Sequence, residues 1–166
     1  MTFQELEQRI ALKLPDDYRQ FLEAHTESLL PTSQVFSLSE KTPFGESGVL
    51  DELNTLGSFA NNGIRLFEDV RMLVIGDNLF GYPTCLCLKY PRHGHVFYFD
   101  IQQRSLWQDE QFYSMFENLA ETVKDYLRMR SAQQLPRKEA GLESFYHVAD
   151  SFSEFQGLLR DEETPA

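Results

Sequence analysis

The chain has little cysteine, little positive charge and no long apolar run, and each shortage removes a class of protein. Two cysteines in 166 residues, Cys85 and Cys87, cannot build a disulfide framework. No stretch approaches the ~18 apolar residues of a membrane-spanning helix. The opening Met1-Thr-Phe-Gln-Glu-Leu-Glu lacks the cationic start and apolar run of an export leader, so the expectation is a cytoplasmic chain with reduced thiols. Fifteen Lys plus Arg stand against 26 Asp plus Glu, a net charge of −11, with pI ≈ 4.7. Such a surface repels phosphate backbones and anionic lipids, which argues against nucleic acid and membrane partners, and would be drawn to a basic protein partner, although a moderately acidic pI is also common in cytosolic proteins that have no such partner. Also missing are a Gly-x-Ser-x-Gly elbow, a Walker loop and a dinucleotide fingerprint. Gly76-Asp-Asn-Leu-Phe-Gly81 has too few glycines for a phosphate cradle. It reads as a turn in which Asp77 and Asn78 bond their own backbone and Gly81 takes a positive φ.

What is present is ordinary for one globular domain spanning 1–166: 42% hydrophobic and 25% charged residues, in a chain long enough to bury a core without staples. Phe3, Leu6 and Ile10 recur at helical spacing. Pro15 suits a first helical position, with Asp16 and Asp17 in the positive first turn, and Leu14, Tyr18, Phe21, Leu22 and His25 then form one stripe. Residues 28–64 keep no single period. Val35–Leu38 suggests a strand, and Val49–Phe59 a helix stopped at Asn61-Asn62-Gly63. Met72–Ile75, Thr84–Tyr90, Val96–Asp100 and Ser105–Trp107, separated by turns, predict an antiparallel meander.

From Gln111 the period becomes helical, with Phe112, Met115, Phe116, Leu119, Val123, Tyr126 and Leu127 on one face. A polar stretch, 128–143, separates that helix from Phe145–Leu159. Within the last segment Ser151 and Glu154 form a capping box ahead of Phe152, Phe155, Leu158 and Leu159. Residues 160–166 are expected to fray.

The order of these pieces resembles the SUKH superfamily, which includes the Smi and Knr cell-wall regulators of fungi and many bacterial immunity proteins. The resemblance rests on Leu14-Pro-Asp-Asp-Tyr-Arg-Gln-Phe-Leu22, on Ile75-Gly-Asp77 with Gly81 behind, on Val96-Phe-Tyr-Phe-Asp100, and on Ala149-Asp-Ser-Phe-Ser-Glu-Phe155. Three features depart from the family pattern. His25-Thr-Glu-Ser28 replaces an Asn-Gly-Gly-like turn, Ile101 and Gln102 replace the usual histidine and glutamate, and the closing helix comes about fifty residues after the strand motif. Either helix 111–130 is an insertion or it takes the closing position itself. The resemblance implies an α+β fold, with helices flanking one twisted antiparallel sheet. It also implies a non-enzymatic protein that binds and neutralises a secreted toxin, in many cases a basic nuclease.

Among candidate chemical groups, Cys85 and Cys87 share one strand face but lack zinc-knuckle spacing, and burial is the favoured reading. His93 and His95 with Asp100 make a ligand set only on paper, and an exposed turn explains the pair better. His147 has no partner visible in sequence. Asp16 and Asp17 point about 100° apart on a helix and make no acid–base dyad. No catalytic, cofactor or metal residue is assigned. A hydrolase or metal enzyme using Cys85, His93 and His95 is the rival class, and a housekeeping scaffold of the same fold is the third. Aromatic residues, at 13%, suggest some exposed anchors. Tyr82, Tyr90 and Trp107, with Asp77, Asn78 and Asp100 as polar companions, are the expected surface for a basic toxin domain.

Overall fold

A computed structural model of the chain describes residues 1–43, 45–100 and 116–162. Helix α1 (Phe3–Ile10) opens with a capping box: the Thr2 hydroxyl accepts the Glu5 N–H, and the Glu5 carboxylate accepts the Thr2 N–H. Helix α2 (Asp16–Ala24) begins one residue later than the sequence suggests, because Pro15 is extended and serves as the cap itself. The two helices are joined by Glu7, which accepts the Leu14 N–H at 2.8 Å and the Arg19 guanidinium at 2.8 Å. Burial pushes the Glu7 carboxyl up. The Leu14 N–H and the charges of Arg19 and Lys13 outweigh that and hold it below its ordinary value. Leu14, Tyr18, Phe21 and Leu22 are buried, as their spacing predicts.

Eight strands are described: β1 (Leu30–Thr42), β2 (Gly45–Leu53), β3 (Leu66–Phe67), β4 (Met72–Asp77), β5 (Thr84–Cys87), β6 (Val96–Phe99), β7 (Phe145–Ala149) and β8 (Arg160–Asp161). Their order is β7-β6-β5-β4-β2-β1-β8, with β3 also on β4, and each pairing is antiparallel. The predicted meander is present through β4, β5 and β6. The second neighbour of β6 is β7, and the expected strand at Ser105–Trp107 lies outside the described residues.

Strands β4 to β6 are buried on both faces, which is why Met72–Ile75 and Cys85–Leu88 are apolar without alternation. Leu73, Ile75, Leu86, Val96 and Tyr98 face the main core with α2. Met72, Val74, Cys85, Cys87, Phe97 and Phe99 form a second core with Phe145 on the opposite face.

Residues 28–64 differ most from expectation. Val49–Leu53 belongs to β2 and not to a helix; α3 (Leu56–Asn62) starts only after Thr55, whose capping box with Ser58 fixes the boundary. Within the end expected to fray, Arg160 and Asp161 pair with Val35 and Gln34, and residues 163–166 lie outside the described residues. Of the helix predicted over 111–130, residues 111–115 lie outside the described residues, and the rest is a 3₁₀ turn (Phe116–Asn118), an extended Ala120, and α4 (Glu121–Ser131). Leu119, at that break, packs with Tyr126 and Tyr146, so tertiary contact overrides a continuous helical period.

Helix α5 (Phe152–Leu158) begins at Ser151, whose hydroxyl accepts the Glu154 N–H at 3.0 Å. Its start is also held by α2, since Asp17 accepts the Ser153 N–H at 2.9 Å. The sheet coils until the far half of β1 returns to β7. There Ser39 donates to the His147 carbonyl at 2.9 Å and Glu40 accepts the His147 N–H at 3.0 Å. No helix among the described residues is long and apolar enough to cross a membrane.

Candidate functional site

The β4–β5 loop is built around one amide. Asn78 donates to the Val49 carbonyl at 3.2 Å and to the Tyr98 hydroxyl at 2.7 Å, and its Oδ1 accepts the N–H groups of Phe80 (2.9 Å) and Tyr82 (3.1 Å). That uses the full hydrogen-bonding capacity of an asparagine side chain. The remaining loop amides are also bonded: Gly81, at φ +80°, donates to the Asn78 carbonyl, and Leu79 donates to Asp51 Oδ2 at 2.7 Å. Burial pushes the Tyr98 phenol up to about 12, so the partner of Asn78 stays a neutral hydroxyl.

With its backbone bonded in this way, the loop turns two large apolar side chains outward. Leu79 is 89% exposed and Phe80 74%. Acidic groups stand at their base: Asp51 holds the Leu79 amide, and Asp77 lies opposite Glu52 across β4 and β2. Asp77 is paired with Arg65, and burial, the larger influence, raises its carboxyl above the ordinary value despite that cation.

The expected anchors fall differently. Asn78 is buried, at 8% exposure, and organises the loop from inside instead of lying on the surface as expected. Asp100 is 1% exposed and is a buried group, not a surface companion; its N–H donates to Ser144. Tyr82 is half-buried against the main core, its ring 6.1 Å from that of Tyr98, and is not the exposed turn residue expected. Tyr90 is 77% exposed and stacks on His93, with ring centroids 4.8 Å apart. Trp107 lies outside the described residues. Leu79 and Phe80 were missed because a turn motif says which backbone angles it needs, not which of its side chains the fold leaves uncovered.

The rival chemistry is not assembled. Cys85 is fully buried and its thiol is raised strongly by that burial, so it stays protonated. Cys87 borders a cavity of about 190 Å³ with Tyr90 and Arg92, but burial raises its thiol too. His93 lies 2.8 Å from the Lys13 carbonyl, and Arg92 is paired with Glu139. His95 meets His147 and Asp150 instead; burial lowers its pKa, with Asp150 opposing. Among the described residues these three alone form a group able to hold a metal ion.

A family model described as SMI1 / KNR4 family (SUKH-1) matches residues 2–129. The chain belongs to this family. No curated protein and no solved structure matches it. The α+β arrangement of this SUKH-1 chain is the one its motif order implied. The match ends inside α4, yet β7 and α5 beyond it complete the sheet and the core. Phe152 of α5 lies 4.9 Å from both Tyr18 and Phe21, whereas α4 packs on Tyr146 through Tyr126 and Leu127. The helix that closes the main core on α2 is therefore α5.

Proposed function

We propose that this SUKH-1 chain is a non-enzymatic immunity protein that neutralises a secreted bacterial toxin by direct binding, the toxin being a basic nuclease domain. The observation that carries the reading is the Leu79–Phe80 projection: two contiguous large apolar side chains, almost fully exposed, on a loop whose amides from 79 to 82 are each hydrogen-bonded. A pre-ordered loop loses little conformational entropy on binding, and an exposed aromatic supplies much contact area. Asp51 and Glu52 beside it, and the net charge of −11, suit a cationic surface around an apolar recess. The buried thiols support a binding role over nucleophilic catalysis.

The test is a titration of the chain against basic nuclease domains, taken first from any secreted protein encoded beside it. Leu79→Ser and Phe80→Ser should each weaken binding at least tenfold, about 1.4 kcal/mol, while the melting temperature stays within about a degree. Unchanged affinity in the double variant would move the interface elsewhere, with Tyr90 the next exposed aromatic to substitute.

A further inference from the structure

We propose that His95, His147 and Asp150 form a binding site for a divalent transition-metal ion of the zinc class, where β6, β7 and the start of α5 meet. His95 immediately precedes β6, His147 lies in β7, and Asp150 lies between β7 and the Ser151 cap of α5. Their ligand atoms all fall within 4.8 Å of one another. His147 Nε2 is 2.9 Å and His95 Nδ1 3.8 Å from the same Asp150 oxygen. Small side-chain rotations bring such a group to the ~3.3 Å spacing of ligands about 2.0–2.2 Å from one zinc ion.

The local backbone helps to aim these groups. The β6–β7 register shifts between Val96, opposite Ala149, and Phe97, opposite His147. A bulge of this kind bends its strand and redirects a side chain. Phe97 then lies edge-on to the His147 ring at 5.5 Å and supports its orientation.

The tautomer of His147 is the second observation. Ser39 Oγ lies within hydrogen-bond distance of His147 Nδ1 and also donates its only proton to the His147 carbonyl. With that proton on the carbonyl, Oγ can only accept from the ring, and this is the arrangement that selects the Nδ1-protonated tautomer. In the neutral imidazole the Nε2 lone pair then points at a carboxylate oxygen 2.9 Å away. In that tautomer the Nε2 lone pair and the Asp150 carboxylate converge on one point, where a metal ion can take both as ligands. The serine–histidine–cation arrangement matches the way metal-ligating histidines are oriented through their other nitrogen. Two imidazoles and one carboxylate favour zinc, cobalt, nickel or copper, whereas calcium and magnesium prefer all-oxygen sites. Asp150 is 70% exposed, so the ion can enter from solvent and complete its coordination with water.

The experiment is calorimetric titration of tag-free, chelator-washed protein with zinc chloride at pH 7.5, with cobalt(II) absorption as a second readout. One equivalent should bind in the micromolar range, and cobalt should give visible d–d bands. Asp150→Asn, His147→Gln and Ser39→Ala should each lower affinity at least tenfold, while His25→Gln, next to Glu27 on another part of the chain, should leave it unchanged. Zinc should also raise the melting temperature of the parent but not of Asp150→Asn. If His147→Gln does not fold, the exposed Asp150→Asn carries the comparison. No saturable binding would show that only a proton sits between His147 and Asp150 and overturn the proposal. Equal binding by parent and Asp150→Asn would assign the heat to scattered surface groups and overturn it as well.

Discussion

Asn78 places one buried amide among four partners, two on the sheet and two in its own loop. Asn78→Ala removes one hydrogen bond each from the Tyr98 hydroxyl, the Val49 carbonyl and two loop amides, and such losses cost about 1–3 kcal/mol. Urea unfolding should show a loss in that range, and amide exchange at Phe80 and Tyr82 should speed up. A stability equal to the parent's would mean that the Leu79–Phe80 projection is ordered by something other than this residue. The turn at Asp77–Gly81, and its bonding of Asn78 to its own backbone, were legible in sequence, because short polar side chains and a glycine with positive φ specify a turn locally. The bonds to Tyr98 and Val49 were not, since those partners are 20 and 29 residues away.

At the scale of elements, α2 and α5 act as one clamp. Phe21 and Tyr18 take Phe152 between them, and Asp17 holds the Ser153 amide, so the Leu14–Leu22 motif grips the closing helix with both its apolar stripe and its first turn. Phe21→Ala should cost about 3–5 kcal/mol by leaving a cavity in this cluster, read as a fall in melting temperature with no separate effect on toxin affinity. If the variant melts like the parent but binds poorly, the stripe is an interface and not a seat. Tyr82→Ala would not serve as a stability-neutral comparison, because the ring rests on the core, whereas the exposed Phe80→Ser does. Helix periods in α1, α2 and α5 were readable because each helix buries one continuous face. Of residues 30–53 only Val35–Leu38 was readable as strand, because β1 and β2 carry polar residues throughout and β1 breaks register between Pro31 and Gln34.

At the scale of the whole molecule, a net charge of −11 is a field and not a contact. Its effect on a basic partner falls as the Debye length shortens from roughly 30 Å at 0.01 M salt to about 8 Å at 0.15 M. Stopped-flow association with a basic nuclease domain of the proposed kind should therefore slow by about tenfold or more over that range, with a smaller change in dissociation. An association rate indifferent to salt would remove charge from the account of recognition.

The sequence by itself determined the α+β class, the family, the helix faces and the acidic character, since periodicity, caps and charge are local or additive properties. It also placed Cys85 and Cys87 in a core, because apolar neighbours on both sides of a short strand leave little room for solvent. Only the tertiary structure decided what shares a surface or a seam. It buried Asn78 and Asp100, left Leu79 and Phe80 uncovered, and brought His147 to His95 across 52 residues of chain (147 minus 95). The physical reason is that sheet coiling and strand order set which distant side chains meet, and no local pattern records them.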